Sequence, residues 1–468
     1  MIMFAVVALA PLPFGSASPA AMAIWCIVLG SALAFAAPLA RERRQTVLLA
    51  LVFLVIAAYA FVLHEQLAER PWVATVDPLW KEASEALHTQ LEPSASIARH
   101  APFFAIGSPL VCALALVCGF LISAERERAM TLLKVIAWSG VAYAAYGILA
   151  HVADPTKVLW RDKPAYIGSV TSTFINRNTA AAYFGSCSVL WFLLLCDRAR
   201  QHLPRGPIDW RQAASRILAN TPREIVIRFA MFFLCLSAMF MTGSRGGVLI
   251  TLFALAVAFG LYFHRDLPRR SRLVWVVLGG GAAGLVLLEL LGAGVNARFD
   301  AQGLGDEGRI ATWRATLRMI ADHPWFGTGQ GTFSWAYPAY RSSEVPMWGT
   351  WDRAHNTLLE IAADMGIPIA AIGVLAWVII FGILFHGVRN RRGNLVFPAA
   401  AVSIAVLAVL HSLIDFSLQI PGYSIVVFSL VGAGLAQSFA SRERLKRISR
   451  GVQSPVSISE KKLDMVNI

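Results

Sequence analysis

Long apolar runs separated by short polar breaks dominate this chain. A helix that crosses a bilayer needs about 20 consecutive apolar residues. Twelve stretches approach that pattern: 2–13, 20–40, 46–64, 103–123, 131–151, 178–196, 225–242, 247–263, 273–292, 366–387, 396–415 and 421–438. The first is short, and it lacks the basic start of a signal peptide, so it is read as a span. The pattern predicts an all-α integral membrane protein with about 12 transmembrane helices. Polar stretches at 65–102, 152–177 and 293–355 lie on one side. Residues 77–100 predict a surface helix. In "RIATWRATLRMIAD", residues 309–322, Ile310, Trp313, Leu317 and Ile320 recur at helical spacing and form one apolar stripe. That predicts a short amphipathic helix within the 293–355 loop. Arg314 and Arg318 lie four apart on another face. Residues 1–440 read as one polytopic unit with that loop inserted before the tenth span, and 441–468 as a basic, disordered tail.

Charge sets the orientation. The chain of 468 residues is 57% apolar and 15% charged, against about 25% charged in soluble proteins. Its net charge of +13 would suggest nucleic acid in a soluble chain, but here the placement of the cations matters more. Alternate loops, including "RERRQ", "RNRRGN" and the tail, hold 27 of the 41 Lys and Arg residues with their helix ends. By the positive-inside tendency these loops are cytoplasmic, as are both termini. The turn at 243–246 and the loop 293–355 then face outward. The six cysteines all lie in apolar segments without metal-ligand spacing, and read as small core residues.

The residues able to do chemistry cluster on that outward face. Arg177 opens a span in "FINRNTAAAYF", Arg245 sits among glycines in "MTGSRGG", and Arg309 and Arg314 lie on the loop helix. Arginine is costly in a membrane, and its fork of donors suits phosphate oxygens. Two readings stand for each arginine: a ligand for a diphosphate headgroup, or a side chain snorkelling to the interface. In "WDRAHNTLLEIAADMGIP", His355 begins a helix, with Asn356 and Glu360 four apart on one face. His355 is either a proton acceptor near neutral pH or a helix cap. His411 and Asp415, four apart in "HSLIDFSLQIPG", read as a structural pair supporting the site. The loop's aromatics, including Trp325, Trp335, Trp348 and Trp351, are interface anchors or sugar-stacking faces. The chain has no Walker motif and no Asp-x-Asp, and Glu289 is the one acid clearly inside a span. No metal, no other cofactor and no ion path is predicted.

Six motifs in order, "PLPFGSASP", "TFINRNTAAAYF", "MTGSRGG", "GRIATWRATLRMIADHPWFGTGQGTF", "RAHNTLLEIAADMGIP" and "HSLIDFSLQIP", resemble the O-antigen ligase and polymerase superfamily of bacterial envelopes. The resemblance runs from residue 11 to 425. It implies an inner-membrane, metal-independent, inverting glycosyltransferase working at the periplasmic face. The implied donor is a glycan on undecaprenyl diphosphate. The implied acceptor is lipid A–core for a ligase, the first reading, or a second lipid-linked glycan for a polymerase. Protein O-glycosylation and polysaccharide export are further alternatives. Carried over by motif, the diphosphate-binding arginines fall on Arg177, Arg245 and Arg309, and the essential histidine on His355. Where the family has bulkier residues after "NRN", this chain has Thr179-Ala180-Ala181.

Overall fold

In the computed structural model, the structure describes residues 1–36, 43–201, 222–266, 307–343, 345, 351–391 and 395–439. The expected span at 273–292 with Glu289, the start of the long loop, Trp348 and the basic tail lie outside the described residues. The chain begins with α1 (Ile2–Leu9), α2 (Pro19–Ala36) and α3 (Arg43–Leu67). A surface helix α4 (Leu79–Leu87) follows, as expected for 77–100. Next come α5 (Ala101–Ala105), α6 (Gly107–Ile122) and α7 (Arg126–Ala153). A two-stranded hairpin, β1 (Lys157–Val158) with β2 (Arg161–Asp162), pairs antiparallel with Lys157 opposite Asp162. The bundle resumes with α8 (Arg177–Gln201), α9 (Arg223–Met241) and α10 (Arg245–Tyr262). Then come α11 (Glu307–Asp322), α12 (Phe333–Tyr340) and α13 (Thr357–Met365). The last helices are α14 (Ile367–Asn390), α15 (Val396–Ser412) and α16 (Pro421–Phe439).

Among the described residues, eight helices are long and apolar enough to cross a membrane, with two shorter apolar ones at Pro19–Phe35 and Val396–Ser412. The expected first span is different. Helix α1 has 8 residues, about 12 Å of rise, against a hydrocarbon core of about 30 Å. Pro11 and Pro13 follow it at once, and proline cannot continue a helix. The stub packs on α7, where Tyr143 donates to the Ala8 carbonyl at 2.8 Å.

Helices α8 and α16 form the centre of the bundle. Tyr183, Phe184, Leu190, Tyr423 and Val426 are buried, and Ser186 meets the Tyr423 hydroxyl at 3.0 Å. Small residues let backbones approach, as membrane helices require in the absence of a hydrophobic drive between them. Gly119 on α6 lies against the Ser429 backbone of α16. Helices α3 and α14 instead turn apolar side chains outward, such as Phe53, Leu54, Leu375 and Val378. Lipid is the natural neighbour for such faces.

A second, smaller core joins α11, α12 and α13 through Ala315, Met319, Phe333, Tyr337 and Ala363. Helix α11 is amphipathic in a different register from the expected stripe. It buries Ala311, Thr312, Ala315, Thr316, Met319 and Ile320, and leaves Ile310 and Leu317 exposed. Small side chains let α11 sit close to its neighbours. Thr312 and Thr316 satisfy their hydroxyls on the carbonyls of Gly308 and Thr312, so they are buried at little cost.

The "FGTGQG" loop latches this unit to the bundle. Gly327, Gly329 and Gly331 all have positive φ, and a Cβ on Gly327 would collide with the Asp364 backbone. Gln66 of α3 donates to the carbonyls of Phe326 at 2.6 Å and Asp364 at 2.8 Å. Gly331 N–H donates to Asp364 Oδ2 at 2.8 Å.

Candidate active site

Helix α13 begins at Thr357, two residues after His355. Asn356 is its N-cap, and its side-chain oxygen accepts the Leu359 N–H at 3.1 Å. Such a cap contributes about 1 kcal/mol. His355 therefore neither begins nor caps the helix. It has φ of 51°, in the left-handed region that few residues other than glycine adopt. The neighbouring residues hold it there. Buried Glu360 accepts the Ala354 N–H at 2.8 Å on one oxygen and Arg353 Nη1 at 2.9 Å on the other. The same Arg353 nitrogen reaches Gln419 Oε1 at 2.9 Å. Burial would lower the Arg353 pKa, but the Glu360 carboxylate outweighs it and raises it. Strain of this kind persists only where the surroundings over-determine it, and it often marks a functional position.

The His355 ring lies between Trp351 and Phe416, with centroids 5.5 and 5.2 Å away. Its Nδ1 faces Asp415 Oδ1 at 3.6 Å. That is longer than a hydrogen bond, and Nδ1 has no hydrogen-bond partner.

Asp415 is the hub. It sits in the turn between α15 and α16 and is almost fully buried. Oδ2 accepts the Asn178 side-chain amide and lies 3.5 Å from Arg309 Nη2. Oδ1 accepts the Phe416 N–H at 2.7 Å and faces His355. Burial alone would raise the Asp415 pKa, but His355 and Arg309 overcome it and hold the carboxyl below its ordinary value. His411 and Asp415 are joined through the backbone as well as by charge. The Asp415 N–H donates to the His411 carbonyl, while the buried His411 ring meets Ser417 Oγ at 3.0 Å.

The arginines arrive on separate elements. Arg309, from α11, donates through Nη1 to the Ile414 carbonyl at 2.8 Å. Arg177 opens α8, where the Asn176 side chain accepts the N–H groups of Asn178 and Thr179. Its guanidinium lies over the Tyr166 ring at 4.9 Å, and its buried Nε has no hydrogen-bond partner. Arg245 opens α10, capped by Ser244, whose hydroxyl accepts the Gly247 N–H at 3.2 Å. The glycines beside Arg245 have steric work. A Cβ on Gly246 would run into Ile414, and one on Gly247 into Ala181. They let the start of α10 press against both α8 and the Asp415 turn. The small residues after "NRN" fit the same contact, since Ala181 is the one that Gly247 meets.

Five distant segments thus meet around the Asp415 turn: 177–178, 244–247, Arg309, 351–357 and 414–419. Arg314 is exposed on α11. Of the loop aromatics, Trp351 touches His355, while Trp325 and Trp335 are both 70% exposed. Sequence reasoning passed over Asn178, Gln419 and Phe416, whose partners are far along the chain or on the backbone, and Arg353, whose partner Glu360 lies seven residues on. The capping role of Asn356 was open to a local reading, since Asn is a favoured N-cap.

A family model described as O-antigen ligase matches residues 230–372. The matched segment carries Arg245, Arg309, Arg314, His355, Asn356 and Glu360. Arg177, His411 and Asp415 lie outside it. The match bears out the resemblance drawn from the motifs. No curated protein matches the chain.

Proposed function

We propose that this protein, of the O-antigen ligase and polymerase superfamily, is a membrane glycosyltransferase that moves a glycan from undecaprenyl diphosphate to an acceptor hydroxyl. The observation that carries the reading is the convergence of His355, Arg309 and Asn178 on one buried carboxylate, Asp415, within a chain matching that family. The acceptor oxygen attacks the anomeric carbon from the face opposite the phosphate. The carbon–oxygen bond to the diphosphate breaks, and the configuration inverts. His355 takes the acceptor proton. With Nδ1 turned toward Asp415, Nε2 is left for that task, and the carboxylate stabilises the imidazolium that forms. General-base transfer of this kind contributes about 10²–10⁴ in rate.

Charge grows on the leaving diphosphate as the bond breaks. Arg177, Arg245 and Arg309 are its proposed ligands, and fixed cations aimed at developing charge are usually the largest catalytic contribution. The proposed setting is the periplasmic face of the inner membrane, with both termini cytoplasmic and lipid A–core as the acceptor. A strain deleted for this gene tests it through its lipopolysaccharide. Complete loss of long chains, restored by wild type and not by His355→Ala, supports a ligase. A single repeat left on core reassigns the acceptor to a second lipid-linked glycan. An unchanged ladder, with lipid-linked glycan not accumulating, contradicts both.

A further inference from the structure

Asn178 has an unusual position for an amide. It is the second residue of α8, the span that is most completely buried. The capping duty at that helix start is already met by Asn176, which accepts the N–H groups of Asn178 and Thr179. The Asn178 side chain is left for another use. It is 7% exposed, and its Nδ2 donates to Asp415 Oδ2, 237 residues away in the sequence.

That contact decides how the Asp415 carboxylate is turned. A carboxylate with two oxygens can rotate unless both are fixed. Oδ1 is held by the Phe416 N–H at 2.7 Å and looks toward His355. Oδ2 has Asn178, and otherwise Arg309 at 3.5 Å, the limit of a hydrogen bond. Arg309 is also bound to the Ile414 carbonyl. Without the amide, that long contact is what would hold Oδ2 among the described residues. The carboxylate would then be free to swing toward the guanidinium and away from the imidazole.

We propose that Asn178 is a positioning residue, an uncharged donor that fixes the Asp415 carboxylate so that Oδ1 stays turned to His355. This rests on the reading of His355 as the base. An amide suits the role because it donates without adding charge. Among the described residues, the charged and titratable groups that act on Asp415 are Arg309 from α11, His355 ahead of α13 and His411 from α15. A further cation at 178 would compete for the carboxylate, and an anion would repel it.

The test compares the purified full-length protein with Asn178→Ala, Asn178→Asp and His355→Ala. The donor is lipid-linked glycan extracted from the deletion strain, and transfer is followed from about pH 5.5 to 8.5, the range that brackets histidine titration. Asn178→Ala is expected to lower kcat about tenfold or more, the scale of a lost bond to a charged group, with donor KM unchanged. Asn178→Asp is expected to be impaired at high pH and to recover, relative to wild type at each pH, as the pH falls. Protonation of the introduced carboxyl restores an O–H donor to Oδ2. A residue that merely packs gives no such acid rescue. Wild-type turnover in Asn178→Ala, or a ratio for Asn178→Asp that does not change with pH, overturns the proposal. Full activity in His355→Ala is a separate outcome, and it overturns the reading of the base instead.

Discussion

Two buried carboxylates, Asp364 in α13 and Asp415 in the turn between α15 and α16, are driven in opposite directions. Asp415 has cations and donors brought to it from distant segments, and they hold it below its ordinary pKa despite burial. Asp364 is raised well above its ordinary value, first by burial and then by Glu360 on the same helix. Its partners are mostly backbone: Gly331 N–H on Oδ2, with Oδ1 unpartnered. Burial is common to both, so burial does not make the difference. Neighbouring charge does. Asp364 secures the "FGTGQG" latch, whereas Asp415 gathers Asn178, Arg309 and His355, the groups around which the transfer is proposed to occur.

The largest effect that sharpens this contrast is at His355. His355→Ala should lower glycan transfer by about 10²–10⁴ while lipid-linked donor still binds. His355→Asn should not rescue it, because Asn356 already caps the helix. Transfer near the wild-type rate in His355→Asn would move the chemistry away from the Asp415 turn.

The arginines come next. Arg245→Lys keeps the charge and loses the fork, so transfer should fall about tenfold or more, the loss of one charge-assisted hydrogen bond. Arg177→Lys should behave alike, and the double variant should cost less than the product of the two if both hold one diphosphate. Full turnover in Arg245→Ala, at normal protein levels, would show a side chain that only reaches the interface.

The smallest effect is on stability, and its sign separates the two acids. For Asp364, raised in the folded state above its ordinary 3.8, the stabilising contribution is complete below 3.8. It is lost as pH rises through the folded-state value. Asp364→Asn cannot ionise and keeps an acceptor for Gly331. Its melting temperature relative to wild type should therefore climb with pH. For Asp415, lowered from 3.8, the contribution is present above 3.8 and lost as pH falls through the folded-state value. Asp415→Asn should therefore be most destabilised near neutral pH. Parallel pH profiles for the two variants would erase the distinction.

Most of the fold class was legible from apolar run length, because lipid demands it of every span. The limits appear at particular residues. The run at 2–13 has a span's composition, yet Pro11 and Pro13 cut its helix to eight residues. The stripe of Ile310 and Leu317 looked like the buried face of α11. The helix instead buries its smaller face, because close approach favours alanine and threonine. The arginine motifs name segments 177–178 and 244–247, which the structure brings against the Asp415 turn. Asn178 was invisible because its partner lies 237 residues on. The glycines beside Arg245 signalled close approach, but no local pattern names Ile414 as the neighbour.

The proposed function places the chemistry at the Asp415 turn and not at the Asp364 latch. The most direct measurement is the transfer rate of purified Asp415→Asn and Asp364→Asn, side by side, with lipid-linked glycan donor at neutral pH. The account predicts a loss of about a hundredfold, of the order seen when a base loses its support, for Asp415→Asn, and a rate near wild type for Asp364→Asn. Wild-type transfer by Asp415→Asn, or a collapse confined to a folded Asp364→Asn, would contradict it.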